Sequence, residues 1–199
     1  MKIILLLFTF FLSSISLLPS SATSTPVLDI DGHKLQTLTD YYILPLVRGR
    51  GGGLALSLRN NTCPFYVAQE DLEVSRGLPV QFLATSTEEK LVQESADVNI
   101  VFSAVTICVQ STAWRLGDVD EITGRTYVQS GGVVGNPGKE TVRNWFKIVK
   151  YNSYYKLVFC PGVCDICKVI CGDLGVFIED GKRWLGLSDV PLSVFFKKV

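Results

Sequence analysis

Residues 155–178 read YKLVFCPGVCDICKVICGDLGVFI and contain four of the six cysteines, in a C-x3-C-x2-C-x3-C run. Apolar runs that predict strands lie on both sides of these cysteines, at 157–159 and 174–178. Four thiols this close together can bind zinc or an iron–sulfur cluster, or they can pair as two nested disulfides across a hairpin. The spacing leaves both interpretations open, and the redox compartment decides between them.

The N-terminus indicates that compartment. Lys2 gives a short positive start, residues 3–12 are almost wholly apolar, and a small-x-small pattern ends at Ala22. This order is typical of a secretory signal peptide, and the apolar run is too short to serve as a comfortable membrane anchor. We therefore predict a signal peptide at residues 1–22 and a mature domain at 23–199, secreted or held in a vacuolar lumen. In an oxidising compartment an even number of cysteines favours disulfides over a metal site.

Composition limits the class of partner. The chain has 19 basic and 19 acidic residues, and removal of Lys2 with the signal peptide leaves a net charge of about −1. Neither nucleic acid nor a membrane is predicted as a partner, because both would require a basic surface. About 177 mature residues are enough for one domain with a substantial core. The 17 glycines and 8 prolines, with many β-branched and aromatic residues, favour strands and turns.

Short apolar runs separated by turn residues predict an all-β domain. Residues 41–47, 54–58 and 98–102 are the clearest strands, and 26–32 predicts a shorter strand that ends in an Asp-Gly turn. A polar segment, 84–97, separates two of the predicted strands. No stretch has a convincing helical period, and strand composition alone does not separate a sandwich from a barrel.

Three features of the sequence could suggest a catalytic or nucleotide-binding site. Gly49–Gly53 lacks the third glycine of a dinucleotide site and a Walker lysine, so it predicts a glycine-rich β-turn. His33, the only histidine, is predicted to lie on the surface, and the acidic group Asp118, Asp120 and Glu121 to lie in a loop. Outside the cysteine run, no H-E-x-x-H or other metal-ligand spacing is present. We predict no enzyme activity, no cofactor and no metal site.

Asn60-Asn61-Thr62 is an N-glycosylation sequon, which has meaning because the chain is predicted to be secreted. Cys63-Pro64 follows it directly. We predict Asn60 as the glycan acceptor and leave its occupancy open.

Several motifs, taken together and in order, resemble the plant Kunitz soybean trypsin inhibitor family. They span residues 27–196, almost the whole mature chain, and comprise VLDIDGHKL at 27–35, YYILP at 41–45, NIVF at 99–102, WRL at 114–116, WFKIVKY at 145–151 and the cysteine run itself. The cysteine run and GGVVGNPGKET at 131–141 are most similar to the miraculin-like branch of that family.

The resemblance implies a fold and a set of crosslinks. The fold is a β-trefoil, with twelve strands in three pseudo-repeats, six of them forming a barrel and six capping it. The implied disulfides are Cys63–Cys108, Cys160–Cys171 and Cys164–Cys167, whereas the sequence alone allows fifteen connectivities.

The resemblance also implies where a protease would bind. Inhibitory members present one exposed loop as a substrate mimic, and the residue that enters the specificity pocket selects the enzyme. Aligning the NIVF strand places this loop within 84–93, with the specificity position at or near Glu88. The candidate reactive residues are Thr87, Glu88, Glu89, Lys90 and Leu91.

Two features of this loop argue against strong trypsin inhibition. The trypsin pocket ends in a carboxylate and selects Arg or Lys, so Glu88-Glu89 has the wrong charge, and Lys90 fits only if the register shifts by two residues. Inhibitory members also carry an asparagine that braces the loop, and the aligned position here is near Thr37.

We therefore predict a secreted, non-enzymatic, miraculin-like member of the family that acts in defence by inhibiting a serine, cysteine or aspartic protease. Two alternatives stay open: a trefoil that has lost inhibition and binds a carbohydrate or another protein, and a storage or stress protein. Residues 151–154 lack an additional cysteine, so a monomer or a non-covalent dimer is predicted rather than a disulfide-linked dimer.

Overall fold

The computed structural model describes residues 25–199, so the predicted signal peptide and its cleavage site lie outside the described residues. No helix in the described part of the chain is long and apolar enough to cross a membrane. A single 3₁₀ helix, Lys139–Asn144, accompanies twelve strands in this part of the chain. The strands are β1 (Tyr41–Pro45), β2 (Leu54–Arg59), β3 (Thr62–Gln69), β4 (Val80–Ala84), β5 (Asp97–Phe102), β6 (Arg115–Val119), β7 (Thr126–Gln129), β8 (Phe146–Tyr151), β9 (Tyr154–Phe159), β10 (Gly172–Glu179), β11 (Lys182–Ser188) and β12 (Ser193–Lys198).

Six of the strands close into an antiparallel barrel. The pairings run from β1 to β4, β5, β8, β9 and β12 in turn, and β12 returns to β1. Closure leaves no free edge among these strands, so each backbone ladder finds a partner within the ring.

The other six strands form three hairpins that cap one end of the barrel. They are β2–β3, β6–β7 and β10–β11, and the second strand of each hairpin pairs with the other two. Each group of four successive strands therefore contributes its outer two to the barrel and its inner two to the cap. This threefold arrangement is the predicted β-trefoil.

Alternation along the strands fills the barrel. In β4, Val80 and Phe82 are fully buried whereas the residues between and after them are half-buried. The Phe82 ring meets Phe196 of β12 edge to face, with the centroids 5.5 Å apart. Each such side chain contributes about 1.5–3 kcal/mol through burial. The cap has its own smaller core, to which the three repeats contribute Ala68, Tyr127 and Trp184.

The structure corrects the predictions for residues 26–32 and for Asp118. The strand predicted at 26–32 is reduced to isolated bridges, because the Asp29 carboxylate accepts hydrogen bonds from the amides of Asp31 and His33 and turns the chain back on itself. Asp118, predicted to lie in a loop, is in β6.

The glycine run has a different structural role from the predicted β-turn. Turn geometry is confined to Arg48 and Gly49, and Gly51–Gly53 are buried beneath the segment 70–76. The amides of Gly52 and Gly53 donate to the carbonyls of Glu70 and Ser75, at 2.7 and 2.9 Å. The missing side chains allow the two backbones to approach this closely.

Candidate functional site

The segment between β4 and β5, residues 85–96, contains the predicted reactive loop and begins with a tight turn. The amide of Glu89 donates to the carbonyl of Ser86 at 3.3 Å, and the amide of Glu88 donates to the Ser86 hydroxyl at 3.3 Å. Thr87 and Glu88 are exposed at the apex of this turn, whereas Glu89 is half-buried. Glu88, the predicted specificity position, therefore lies at the exposed tip of the loop.

The N-terminal segment holds the far side of the loop in an extended conformation. The Thr37 hydroxyl donates to the carbonyl of Glu89 at 3.0 Å, and the Thr37 amide donates to the carbonyl of Lys90 at 3.0 Å. Leu91 forms a bridge with Gln36, and Val92, which is fully buried, anchors the loop in the main core. Thr37 thus occupies a bracing position, and its side chain bonds to the loop backbone.

Leu38 completes this brace and was not found by sequence reasoning. Its φ of 58° lies in the left-handed region, its side chain is 62% exposed, and its amide donates to the carbonyl of Phe82 at 3.1 Å. The left-handed conformation costs a leucine about 1–2 kcal/mol. No sequence pattern indicates it, since left-handed positions are usually occupied by glycine or asparagine.

The charged side chains of Glu88 and Lys90 differ in their contacts. The Lys90 ammonium donates to the carbonyl of Thr87 at 3.4 Å, so this lysine folds back over its own loop. Glu88 points its charge outward from an exposed position, and within the described part of the chain it forms no ion pair. The loop therefore presents a negative apex.

All six cysteines are paired. The disulfides are Cys63–Cys108, Cys160–Cys171 and Cys164–Cys167, with Cα–Cα distances of 5.8, 4.4 and 5.4 Å. These are the pairings that the family resemblance implies. The last two are nested within the segment that joins β9 to β10, and the first ties the start of β3 to the loop after β5.

A charged cluster lies on the cap. Arg59 pairs with Asp120 at 3.0 Å and with Glu179 at 3.1 Å, and its guanidinium lies 4.4 Å from the centre of the Tyr127 ring. Burial, followed by the bond to Glu179, raises the pKa of the Tyr127 hydroxyl. The amide of Thr123, helped by the Thr123 hydroxyl and Arg59, lowers the pKa of Asp120. Arg59, Asp120 and Glu179 belong to three different hairpins of the cap. Because they pair with one another, the cluster joins these hairpins.

A surface cavity of about 560 Å³ opens beside this cluster. Tyr66 and Tyr127 line it together with Gln129, Arg115 and Asp118. The ion pair with Arg143 lowers the pKa of Asp118. Aromatic faces next to amide and carboxylate groups are suited to a polar ligand with some apolar surface.

The remaining predicted residues are on the surface. Asn60 is exposed at the tip of the β2–β3 hairpin, where it and Asn61 have left-handed φ values of 58° and 54°. His33 is 80% exposed, with its Nδ1 3.7 Å from the Asp29 carboxylate that caps the local turn.

A β-trefoil crosslinked by three disulfides is the structural class to which the chain belongs. The family model described as "Trypsin and protease inhibitor", Kunitz legume, matches residues 27–198. The chain belongs to this Kunitz family, which confirms the resemblance of its motifs.

Similar proteins agree with that assignment. The chain is 51% identical over 180 residues to Kunitz trypsin inhibitor 5 of Arabidopsis thaliana, covering 90% of this chain and 88% of the relative. It is 48% identical over 188 residues to miraculin of Synsepalum dulcificum, covering 90% and 86%. Among solved structures, the Kunitz-type cysteine protease inhibitor of potato aligns with a TM-score of 0.78 at 34% identity, covering 88% and 98%. The rice bifunctional alpha-amylase/subtilisin inhibitor aligns with a TM-score of 0.72 at 38% identity, covering 88% and 99%.

Proposed function

We propose that this chain is a secreted protease inhibitor with a defence role and that residues 87–91 contact the enzyme. One observation carries the proposal: Thr37 bonds to the backbone at Glu89 and Lys90 and so holds the extended side of an exposed loop. A loop ordered before binding loses less conformational entropy when an enzyme closes on it. Membership of an inhibitor family supports the same function.

The charge of the loop selects the target. If Glu88 enters the specificity pocket, a pocket that ends in a carboxylate would meet a like charge, which costs several kcal/mol. The favoured target is therefore a protease whose pocket is neutral or basic. Relatives described as inhibitors of subtilisin and of cysteine proteases support testing beyond trypsin.

A panel titration tests the proposal directly. The purified, oxidised chain would be titrated against chymotrypsin, subtilisin, a glutamate-specific serine protease, a papain-like protease and a pepsin-like protease. We expect one-to-one inhibition of at least one of them. A folded chain with three intact disulfides that inhibits none would contradict the proposal.

Changing the charge at the apex of the loop should change which protease the loop binds. Glu88→Arg is expected to strengthen trypsin inhibition by at least about 100-fold, because a like-charge contact becomes a buried ion pair. The inhibition constant for trypsin is the measurement. Glu121→Arg, an equal charge change at an exposed turn on the cap, is the control and should leave the constant unchanged. No gain from Glu88→Arg in a folded protein would show that Glu88 does not enter the pocket.

Removing the brace should weaken binding without unfolding the protein. Thr37→Ala deletes the hydroxyl that bonds to Glu89, at a cost of about 1 kcal/mol in the free energy of unfolding. We expect inhibition of the target found in the panel to weaken by about 5- to 10-fold. Thr39→Ala is the matched control, since the Thr39 hydroxyl donates to the carbonyl of Thr37 at 3.5 Å and, among the described residues, not to the loop. Equal effects of the two substitutions would remove Thr37 from the binding mechanism.

The cavity on the cap favours a second candidate function, a binding module for a polar ligand such as a carbohydrate. Its support is the placement of Tyr66 and Tyr127 beside Gln129 and Arg115. Binding to a glycan array that is lost in Tyr66→Ala and unaffected by Glu88→Arg would favour this function. A storage or stress role without a ligand would show neither binding nor inhibition.

We also propose passage through the secretory pathway, to the extracellular space or the vacuole, and glycosylation at Asn60. The pairing of all six cysteines and the exposure of Asn60 support both. Loss of mass on enzymatic deglycosylation, absent in Asn60→Gln, is the expected result. The oligomeric state, a monomer or a non-covalent dimer, stays a prediction.

A further inference from the structure

We propose that the turn at residues 29–33 binds a divalent transition-metal ion of the zinc type through Asp29, Asp31 and His33. One ligand atom from each of these side chains lies within 4.8 Å of the other two. The sequence predicted no metal site, since Asp-x-Asp-x-His differs from zinc spacings such as His-Glu-x-x-His. The site uses none of residues 87–91, so the inference does not rest on the function proposed for them.

The backbone on both sides of this turn is anchored. Val27 and Leu35 are fully buried, and the amide of Leu35 donates to the carbonyl of Val27 at 2.8 Å. At the turn itself, the amide of Asp29 donates to the carbonyl of His33 at 2.8 Å. The three side chains therefore project from one short hairpin whose backbone is held by the fold before an ion binds, which is the support that a metal site needs.

Asp29 is the buried ligand of the proposed site. Its side chain is only 2% exposed, and its Oδ1 accepts hydrogen bonds from the amides of Asp31 and His33 at 3.0 and 2.8 Å. In the described part of the chain, no group donates a hydrogen bond to its Oδ2. Buried carboxylates are normally paired with a cation or bound to a metal. Oδ2 therefore has its lone pairs available for an ion.

The two carboxylates lack a basic partner that would neutralise them. Among residues 25–199, no Lys or Arg forms an ion pair with Asp29 or Asp31. The nearest basic group is the His33 ring, whose Nδ1 lies 3.7 Å from Asp29 Oδ1, too far for a hydrogen bond. Two close like charges repel each other, and a divalent cation between them removes that repulsion.

The donor set selects the class of ion. An imidazole nitrogen with two carboxylates suits zinc and the other late divalent transition metals, whereas calcium and magnesium prefer oxygen ligands alone. Bonds from zinc to nitrogen or oxygen are about 2.0–2.2 Å long, so its ligand atoms lie roughly 3.5 Å apart. Asp31 and His33 are exposed, and rotation of their side chains can close the distance from 4.8 Å.

The chain offers few competing ligands for such an ion. His33 is the only histidine, and all six cysteines are paired in disulfides. In the part of the chain that the structure describes, no other group of three His, Cys, Asp or Glu side chains brings ligand atoms this close. An ion that is bound through an imidazole must therefore lie at this turn.

Calorimetric titration of the purified, oxidised chain with zinc chloride is the test. We expect one zinc ion per chain, and an affinity that falls by roughly 10-fold or more in His33→Ala and in Asp31→Asn. Asp180→Asn, the same change at the exposed β10–β11 turn, is the matched control and should leave the affinity unchanged. Zinc should also raise the unfolding temperature of the wild-type chain and of Asp180→Asn but not that of His33→Ala, because only the folded turn assembles the three ligands.

The single imidazole provides a direct spectroscopic readout. One equivalent of zinc should shift or broaden the NMR signals of His33, and it should do so less in Asp31→Asn than in the wild-type chain. Both substituted side chains are exposed, so the variants should fold, and their unfolding temperatures without zinc verify this.

Three results would overturn the inference. They are a folded wild-type chain that binds no zinc, zinc binding that His33→Ala and Asp31→Asn leave unchanged, and His33 signals that do not respond to zinc. Weak uptake of several ions per chain, equal in all variants, would likewise show only non-specific binding to surface carboxylates. None of these measurements uses a protease, so their outcome is independent of the inhibition panel.

Discussion

Replacing both Cys63 and Cys108 by alanine is expected to lower the free energy of unfolding by about 4 kcal/mol. The disulfide joins residues 45 positions apart, so its loss releases the largest loop in the unfolded chain. It also frees the loop after β5, in which Cys108 is buried whereas Val105 and Val109 are fully exposed. The Cys108 carbonyl accepts hydrogen bonds only from the neighbouring Thr106 and Gln110 in the described part of the chain, so these bonds do not tie it to β3.

The matched comparison is removal of the other disulfides. The loop closed by Cys160–Cys171 spans 11 positions and that of Cys164–Cys167 only 3, for which the chain-entropy model gives about 3 and about 1.5 kcal/mol. Reversible denaturant unfolding of the three double-alanine variants measures the order. If the loss of Cys164–Cys167 destabilised the chain as much as the loss of Cys63–Cys108, unfolded-state entropy would not be the cause.

Gly53→Ala is expected to destabilise the protein by about 3 kcal/mol or more, because the backbone passes too close for a side chain. A Cβ at Gly53 would lie 2.0 Å from the carbonyl oxygen of Arg76 and 3.0 Å from a methyl group of Leu44. The opposing atom is backbone and cannot rotate away. Either the 70–76 segment moves or the hydrogen bond from Gly53 to Ser75 breaks.

Gly49→Ala separates this packing effect from backbone strain. Gly49 has a φ of 75°, but no atom lies within 4 Å of the position that a Cβ would take there, so alanine costs only about 1 kcal/mol. Thermal or denaturant unfolding of both variants is the measurement. If Gly49→Ala were the more damaging change, conformational freedom rather than close approach would explain why glycine occupies this run.

Much of the fold was predictable from local patterns. Alternating strands such as β4 bury one face, and this period is visible in the amino-acid order. The cysteine run and the ordered motifs led to the family, and through it to the β-trefoil and the pairing of Cys63 with Cys108. Composition alone indicated an all-β fold but not its architecture, because the strands of a sandwich and of a barrel have the same alternation of buried and exposed residues.

The candidate site was only partly predictable. Alignment placed Glu88 in a loop, and the acidic charge that argues against trypsin is a property of the sequence. The bond from Thr37 to Glu89 joins residues 52 positions apart, and no local pattern indicates it. Leu38 has a left-handed backbone conformation, which leucine rarely adopts, so its role is visible only in the structure.

The alternating strands, the even set of cysteines, the family and the charge of residues 87–91 all follow from the amino-acid order, because each depends on residue type and local spacing. Other features required the folded chain: Gly51–Gly53 lie beneath 70–76, Asp97 accepts hydrogen bonds from Gly162 in the segment between β9 and β10, and Lys90 bonds to the carbonyl of Thr87. These features depend on which distant segments the barrel brings together. Contact across the fold is set by strand pairing and closure, which no short stretch of the chain encodes.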